Sequence, residues 1–273
     1  MDEEPQAVLI KIVLGYDGGE FSGWAAQPGR RTVEGVLSEA LGRILRLPEP
    51  PKLTVAGRTD SGVHARGQVA HFNIPEEHWD DRLAYRLGGV LPADVRVFRA
   101  DLAPQGFDAR FSALWRRYSY RVCDDPALAD PVDRRRTVWY FPPEPLDIAA
   151  MNIAAADLLG EHDFAAFCRR REGATTVRAL RRLAWRRDDD GIATAGVVAD
   201  AFCHNMVRAL MGALIAVGEG RQEPGWPGRI LAARTRHPGV RVMPPHGLCL
   251  EEVGYPADAD LAARASATRG LRA

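Results

Sequence analysis

Two strand-like runs, 53–56 and 68–74, are joined by a loop too polar to be a simple hairpin connection. It reads Gly57-Arg58-Thr59-Asp60-Ser61-Gly62 and continues through His64 to Arg66. Glycines on both sides let the backbone take positive φ and bring Asp60 close to a ligand. Arg58, two residues earlier, is a fixed positive charge beside that carboxylate. A strand, a tight loop and a returning strand commit this stretch to a sheet, and a sheet is a rigid support for an acid at a loop tip. Taken alone, an Asp beside Gly is more often a turn former. The crowding of Arg58, Thr59, Asp60, Ser61, His64 and Arg66 shifts the reading towards chemistry. His64 and His71 lie near apolar strands, where a histidine is by default a hydrogen-bonded core or rim residue.

The rest of the chain supplies the elements such a sheet needs. Residues 8–16 form a strand pattern, and Val33, Val36, Leu37, Leu41 and Ile44 follow helical spacing over 33–45 with Thr32 as the cap. Strands at 52–56 and 67–74, a helix over 81–90 capped by Asp80, and a strand over 95–102 follow. The order β-α-β-β-α-β is that of the ferredoxin-like unit. The second half repeats the plan without sequence similarity. It has a strand over 115–122 and a helix capped by Asp147 with Ile148, Met151, Ala155 and Leu158 on one face. A hairpin of 180–185 and 192–202 follows, then an apolar helix carrying Val207, Leu210, Met211, Leu214 and Val217, and a closing strand over 248–253. The expected fold is α+β: two ferredoxin-like halves, 1–105 and 106–256, merging into one mixed or antiparallel sheet with helices on one face. The Pro-rich stretches 126–145 and 222–245 read as long loops, and 257–273 as a frayed tail.

Composition narrows the class. A chain of 273 residues with 46% hydrophobic and 26% charged residues has ample core and describes an ordinary soluble protein. The 36 basic residues balance the 36 acidic ones, which argues against binding nucleic acid through bulk charge. All but Lys11 and Lys52 are arginine, and they cluster at 134–136, 169–171, 181–182 and 186–187. A GC-rich genome accounts for the arginine bias but not for the clustering, so local basic patches are expected on a neutral protein. Cys123, Cys168, Cys203 and Cys249 stand far apart, giving neither a zinc spacing nor a disulfide framework. The acidic start at Asp2 is the wrong sign for a signal peptide, and the greasy stretch 209–217 is too short to span a bilayer. The simplest expectation is a reduced, cytoplasmic protein with no membrane partner.

Several colinear blocks then point one way. Tyr16-Asp17-Gly18 with Phe21, Gly23, Trp24 and Gln27 reads YDG-x-x-F-x-GW-x-x-Q, and 57–69 reads GRTDSGVHARGQV. Residues 107–120 read FDARFSALWRRYSY; Leu159, Gly160 and His162-Asp163-Phe164 give L-G-x-HDF; Met206-Val207-Arg208 with Gly212 gives MVR-x-x-x-G. Together with the closing strand from Gly247, these blocks resemble the tRNA pseudouridine synthase A family from about residue 8 to residue 256.

That resemblance implies an isomerase acting on tRNA, converting uridines at positions 38, 39 and 40 of the anticodon stem-loop to pseudouridine. It implies a catalytic cleft between the halves, a homodimer, and neither a redox cofactor nor a metal. It makes Asp60 the nucleophile, attacking C1′ of the ribose or C6 of the uracil, or else a base in a route through a glycal. Arg58 pairs with Asp60 or fills the space of the flipped base. By pattern alone Tyr118 is a strand-core tyrosine; the resemblance stacks it on the target uracil. Arg208 sits just off the apolar stripe of its helix, so its guanidinium needs an acidic partner, and the resemblance names Asp60. Leu248 is strand core by default and pocket wall by resemblance. Two positions depart from the family pattern: Gly88 stands where Asn is usual and Asp108 where His is usual, which bears on how the RNA backbone is gripped.

Two other classes stay open at this stage. One is a catalytically silent tRNA-binding or RNA-folding protein on the same scaffold. The other is an unrelated hydrolase using Asp60 with His64, although the chain has no Ser or Cys elbow and no H-E-x-x-H spacing. Removal of metal separates the last from the rest. Pseudouridine formation should survive exhaustive dialysis against EDTA, and a loss that zinc restores would reopen the hydrolase reading.

Overall fold

Alternating Ile10, Ile12 and Leu14 make the first run a strand, β1 (Ala7–Tyr16), with one fully buried face. The computed structural model describes residues 6–169 and 175–270. Helix α1 (Val33–Leu45) starts at Thr32, whose hydroxyl accepts from the Gly35 amide, and ends on a left-handed Arg46. It is followed by β2 (Thr54–Val55), β3 (His64–Pro75), α2 (Leu83–Gly88) and β4 (Val95–Leu102). Ile12 faces Ala70 of β3 and Ala100 of β4, and Thr54 of β2 faces His71 of β3. These four strands therefore lie in the order β4-β1-β3-β2, every neighbour antiparallel, as a ferredoxin-like unit requires.

Helix α2 begins later than the sequence suggests, and Asp80 does not cap it. The Asp80 carboxylate instead accepts from the Arg82 amide at 2.8 Å and pairs with Arg86 at 2.9 Å. That local side-chain turn competes with the first helical turn and holds residues 81–82 out of the helix.

The second set of elements comprises β5 (Trp115–Cys123), β6 (Val138–Trp139), α3 (Ile148–Ala156), β7 (Gly160–Asp163), β8 (Val177–Arg187) and β9 (Ala193–Ala199). Helices α4 (Met206–Gly218) and α5 (Trp226–Ala233) and strand β10 (Leu248–Gly254) complete it. Antiparallel pairing sets β5, β9, β8 and β7 side by side, and β6 adds a short parallel pair to β5. The Asp147 carboxylate caps α3 through the Ala150 amide, and every residue of α4 except Arg208 is buried. Helix α5 falls in the stretch read as a long loop. Pro227 sits in its first turn, where a missing amide has no helical partner to lose, and Trp226, Ile230 and Leu231 supply a buried face.

The chain divides into two compact units, residues Met1–Leu114 with Glu251–Ala273 and residues Trp115–Leu250. The stretch expected to fray carries a last helix, α6 (Leu261–Gly270), within the first unit. Leu261 and Ala265 are buried, the Ser112 hydroxyl donates to the Leu261 carbonyl, and Arg269 pairs with Asp108 at 2.6 Å. Weak amphipathic patterning hides such a helix from a reading of periodicity, because specific polar ties dock it. Among the described residues no helix is long and apolar enough to cross a membrane.

The cysteines also differ from expectation. Cys168 and Cys203, 35 residues apart in sequence, are paired as a disulfide with their Cα atoms 5.7 Å apart. The Arg169 amide donates to the His204 carbonyl beside them, so backbone pairing, invisible in the spacing, brings the two together. Cys123 and Cys249 keep their thiols. Thiol titration of the denatured protein should find two groups before reduction and four after it. Four groups under both conditions would contradict the pairing.

One buried carboxylate ties three segments of the second unit. Asp124 accepts from the Leu146 amide at 2.7 Å and, bidentately, from Arg187 at 2.8 and 2.7 Å. Burial by itself would raise this carboxyl, but the Arg187 guanidinium and the Leu146 amide outweigh it and hold it below the ordinary Asp value. A lowered folded value contributes stability that is fully present above the unfolded value of about 3.9 and is lost as pH falls through the folded one. Asp124→Asn should therefore cost about 1–3 kcal/mol near neutrality. Denaturant titrations between pH 3 and 7 should show the gap from wild type constant above pH ~5 and shrinking below pH ~4.

Candidate active site

The polar loop between β2 and β3 is gripped on both sides by the segment that follows β1. The Trp24 amide donates to the Thr59 carbonyl at 3.1 Å, and the Phe21 carbonyl accepts from the Gly62 amide and the Ser61 hydroxyl. Within the loop the Val63 amide donates to the Asp60 carbonyl. Two glycines make this approach possible. A Cβ on Gly18 would meet the Val63 carbonyl at 2.0 Å, and Gly23, at φ +90°, would set one 2.9 Å from the Thr59 carbonyl. The YDG-x-x-F-x-GW wording is thus the cradle of the GRTDSG loop, 40 residues away in the chain for the Ser61 to Phe21 contact.

Side chains complete the grip from beneath. Gln68 of β3 is wholly buried; its amide nitrogen donates to the Gly57 carbonyl at 2.9 Å and to the Tyr16 hydroxyl at 3.2 Å. The Tyr16 hydroxyl shares a 2.7 Å hydrogen bond with Thr59 Oγ1. Their motif positions alone do not show that these three residues meet beneath the loop. A signal was there: Gln68 shares its strand face with Ala70, Phe72 and Ile74, where a polar side chain is out of place unless it is hydrogen-bonded.

Both histidines are hydrogen-bonded to backbone amides. His64 Nδ1 accepts from the Gly18 amide at 3.0 Å and His71 Nδ1 from the Ala109 amide at 3.0 Å. Burial pushes the His71 imidazole down, with the Asp108 charge opposing it. Asp108, one of the two departures, is itself an internal tie. It accepts from the Arg110 and Phe111 amides, both at 2.8 Å, and from Arg269. Gly88, the other departure, lies under Arg96, which donates to its carbonyl at 2.8 Å.

In the first unit Asp60 is half-buried, and Arg58 is exposed with no ion-pair partner among the described residues. The other candidates belong to the second unit. Tyr118 of β5 is buried, its ring edge-on to Phe202 with centroids 5.2 Å apart. Tyr120, on the same strand face, donates to the Pro244 carbonyl at 2.8 Å; burial raises its phenol, with the Arg208 and Arg241 charges opposing. Arg208 donates through Nε to the Met243 carbonyl at 2.6 Å and through Nη1 to Asn205 Oδ1 at 3.4 Å. The 241–244 segment that receives these bonds lies against Gly212, where a Cβ would meet the Arg241 carbonyl at 1.8 Å. Leu248 opens β10 as a buried residue. Of the 169–171 arginine run, Arg170 and Arg171 lie outside the described residues. Among the described residues no three His, Cys, Asp or Glu side chains are grouped to hold a metal ion.

The chain is also similar in sequence to known proteins. A family model described as tRNA pseudouridine synthase matches residues 154–256. The chain is 58% identical over 273 residues to the tRNA pseudouridine synthase A of Streptomyces griseus, covering 98% of this chain and 95% of that protein. It is 57% identical over 265 residues to the protein of that name from Frankia casuarinae, covering 97% and 96%. With the one from Mycobacterium leprae it shares 48% identity over 280 residues, covering 97% and 96%.

Proposed function

The chain belongs to the tRNA pseudouridine synthase A family, and on that premise we propose that it isomerises tRNA uridines to pseudouridine at positions 38, 39 and 40 of the anticodon stem-loop. The observation that carries this reading is the held loop. Backbone at residues 59, 60 and 62 and side chains at 59 and 61 are all hydrogen-bonded, and Asp60 sits half-buried on the loop they hold. A protein that only bound or folded RNA would have no use for an acid presented this way.

The reaction breaks the uridine N1–C1′ bond, turns the base and forms a C5–C1′ bond; the proton on C5 is lost and N1 gains one. Because a base inside a helix cannot be reached, the target uridine must first leave its stack. Three routes use the Asp60 carboxylate: attack on C1′, attack on C6, or proton abstraction leading to a glycal. Arg58, exposed and without an ion-pair partner among the described residues, supports the reading in which it takes the space of the flipped base. The stacking role falls to Tyr118, with Arg208 and Leu248 as the further substrate-site residues. By the same family membership we assign the protein to the cytoplasm, as a homodimer.

Asp60→Asn tests the reading, since it keeps the shape and removes the charge. Pseudouridine formation should fall below about a thousandth of wild type while tRNA still binds. Turnover above that level would be incompatible with an acting carboxylate.

A further inference from the structure

We infer that Tyr16, Thr59 and Gln68 form a positioning relay for the acid on the 57–62 loop, an inference that rests on the role proposed for Asp60. Three polar side chains lie on the buried side of the loop with exposures of 5%, 6% and 0%. Gln68 Nε2 uses both protons, one on the Gly57 carbonyl and one on the Tyr16 oxygen, and its Oε1 accepts from the Val69 amide at 3.2 Å. The Tyr16 oxygen passes the chain on to Thr59 Oγ1 at 2.7 Å. The relay thus grips the loop three residues before Asp60, through a backbone carbonyl, and one residue before it, through a side chain.

Its chemistry points to position rather than to stability. Buried hydrogen bonds contribute little net stability, and apolar side chains of the same shape would fill this space at similar or lower cost. What a polar chain adds is a single geometry, because each donor and acceptor has one place to go. The alternation of β3 sets Ala70, Phe72 and Ile74 on the same face, so Gln68 interrupts an otherwise apolar stripe. Tyr16 lies where the pairing of β1 with β3 shifts register, between Leu14 facing Gln68 and Tyr16 facing Ala65. The Thr59 backbone is held from the other side by the Trp24 amide, so the relay and the cradle together leave the residue before Asp60 no alternative arrangement.

The relay is buried on the inner side of the loop, so its effect should appear in the chemical step rather than in tRNA affinity. Tyr16→Phe and Thr59→Val each remove one end of the 2.7 Å bond and keep the shape. Each should slow the single-turnover rate on bound tRNA by about tenfold to hundredfold, the scale expected of a small misplacement of a reacting group. The tRNA Kd should stay within about twofold, and the rate should be expressed per folded molecule from circular dichroism. Thr59→Ser, which keeps the hydroxyl, should recover most of the rate. The double variant should be no slower than the slower single one, because both remove the same bond. Wild-type rates per folded molecule in both single variants would overturn the relay, as would equal losses in Thr59→Ser and Thr59→Val. Asp60→Asn in the same assay keeps the two readings apart. An active Asp60→Asn sinks the role of the acid, whereas an inactive Asp60→Asn beside unaffected Tyr16→Phe and Thr59→Val sinks only the relay.

Discussion

The Trp24 amide donating to the Thr59 carbonyl joins the segment after β1 to the loop before β3, and the first unit is arranged so that this bond can form. Backbone meets backbone only where no side chain intervenes, which is why glycine stands at 18 and 23. β1 lies between β3 and β4, with Ile12 facing both Ala70 and Ala100. The acid-bearing loop is then supported by strands on one side and by a hydrogen-bonded cradle on the other. A loop held this way loses its freedom during folding, before any substrate arrives.

The second unit uses a different device for the same end. Its long connections are held by buried carboxylates and carbonyls. Asp124 gathers the end of β5, the end of β8 and the approach to α3, and the Met243 and Pro244 carbonyls receive Arg208 and Tyr120. Asp188 closes the turn between β8 and β9 by accepting from the Ile192 amide and from Arg121. Each of these groups is costly to bury alone and inexpensive once paired, so the loops they hold have one arrangement. Asp108 does the same in the first unit. Its oxygens are occupied by two loop amides and by Arg269 of α6.

Much of this was legible beforehand because it depends on short-range pattern. Period-two alternation located β1 and β4 to within a residue or so, and Thr32 and Asp147 announced the helices they cap. What escaped had causes that lie outside a local window. Asp80 looked like a cap, but Arg82 and Arg86 drew its carboxylate into a turn. Helix α5 was hidden by a proline that a first turn tolerates, and α6 by a weak apolar stripe. The pairing of Cys168 with Cys203 depends on a backbone bond between their neighbours.

The order of side chains along the chain was enough to determine the α+β class, the β-α-β-β-α-β plan of the first unit and the loop that bears Asp60. Periodicity, capping chemistry and glycine placement are all properties of neighbouring residues. Only the tertiary structure decided what holds that loop. Tyr16 and Thr59 are 43 residues apart and Tyr16 and Gln68 are 52 apart. Whether an isolated polar residue in an apolar strand is a flaw or a support depends on which distant group meets it. Long-range packing supplies that partner, because a buried donor is tolerated only where the fold brings an acceptor to it.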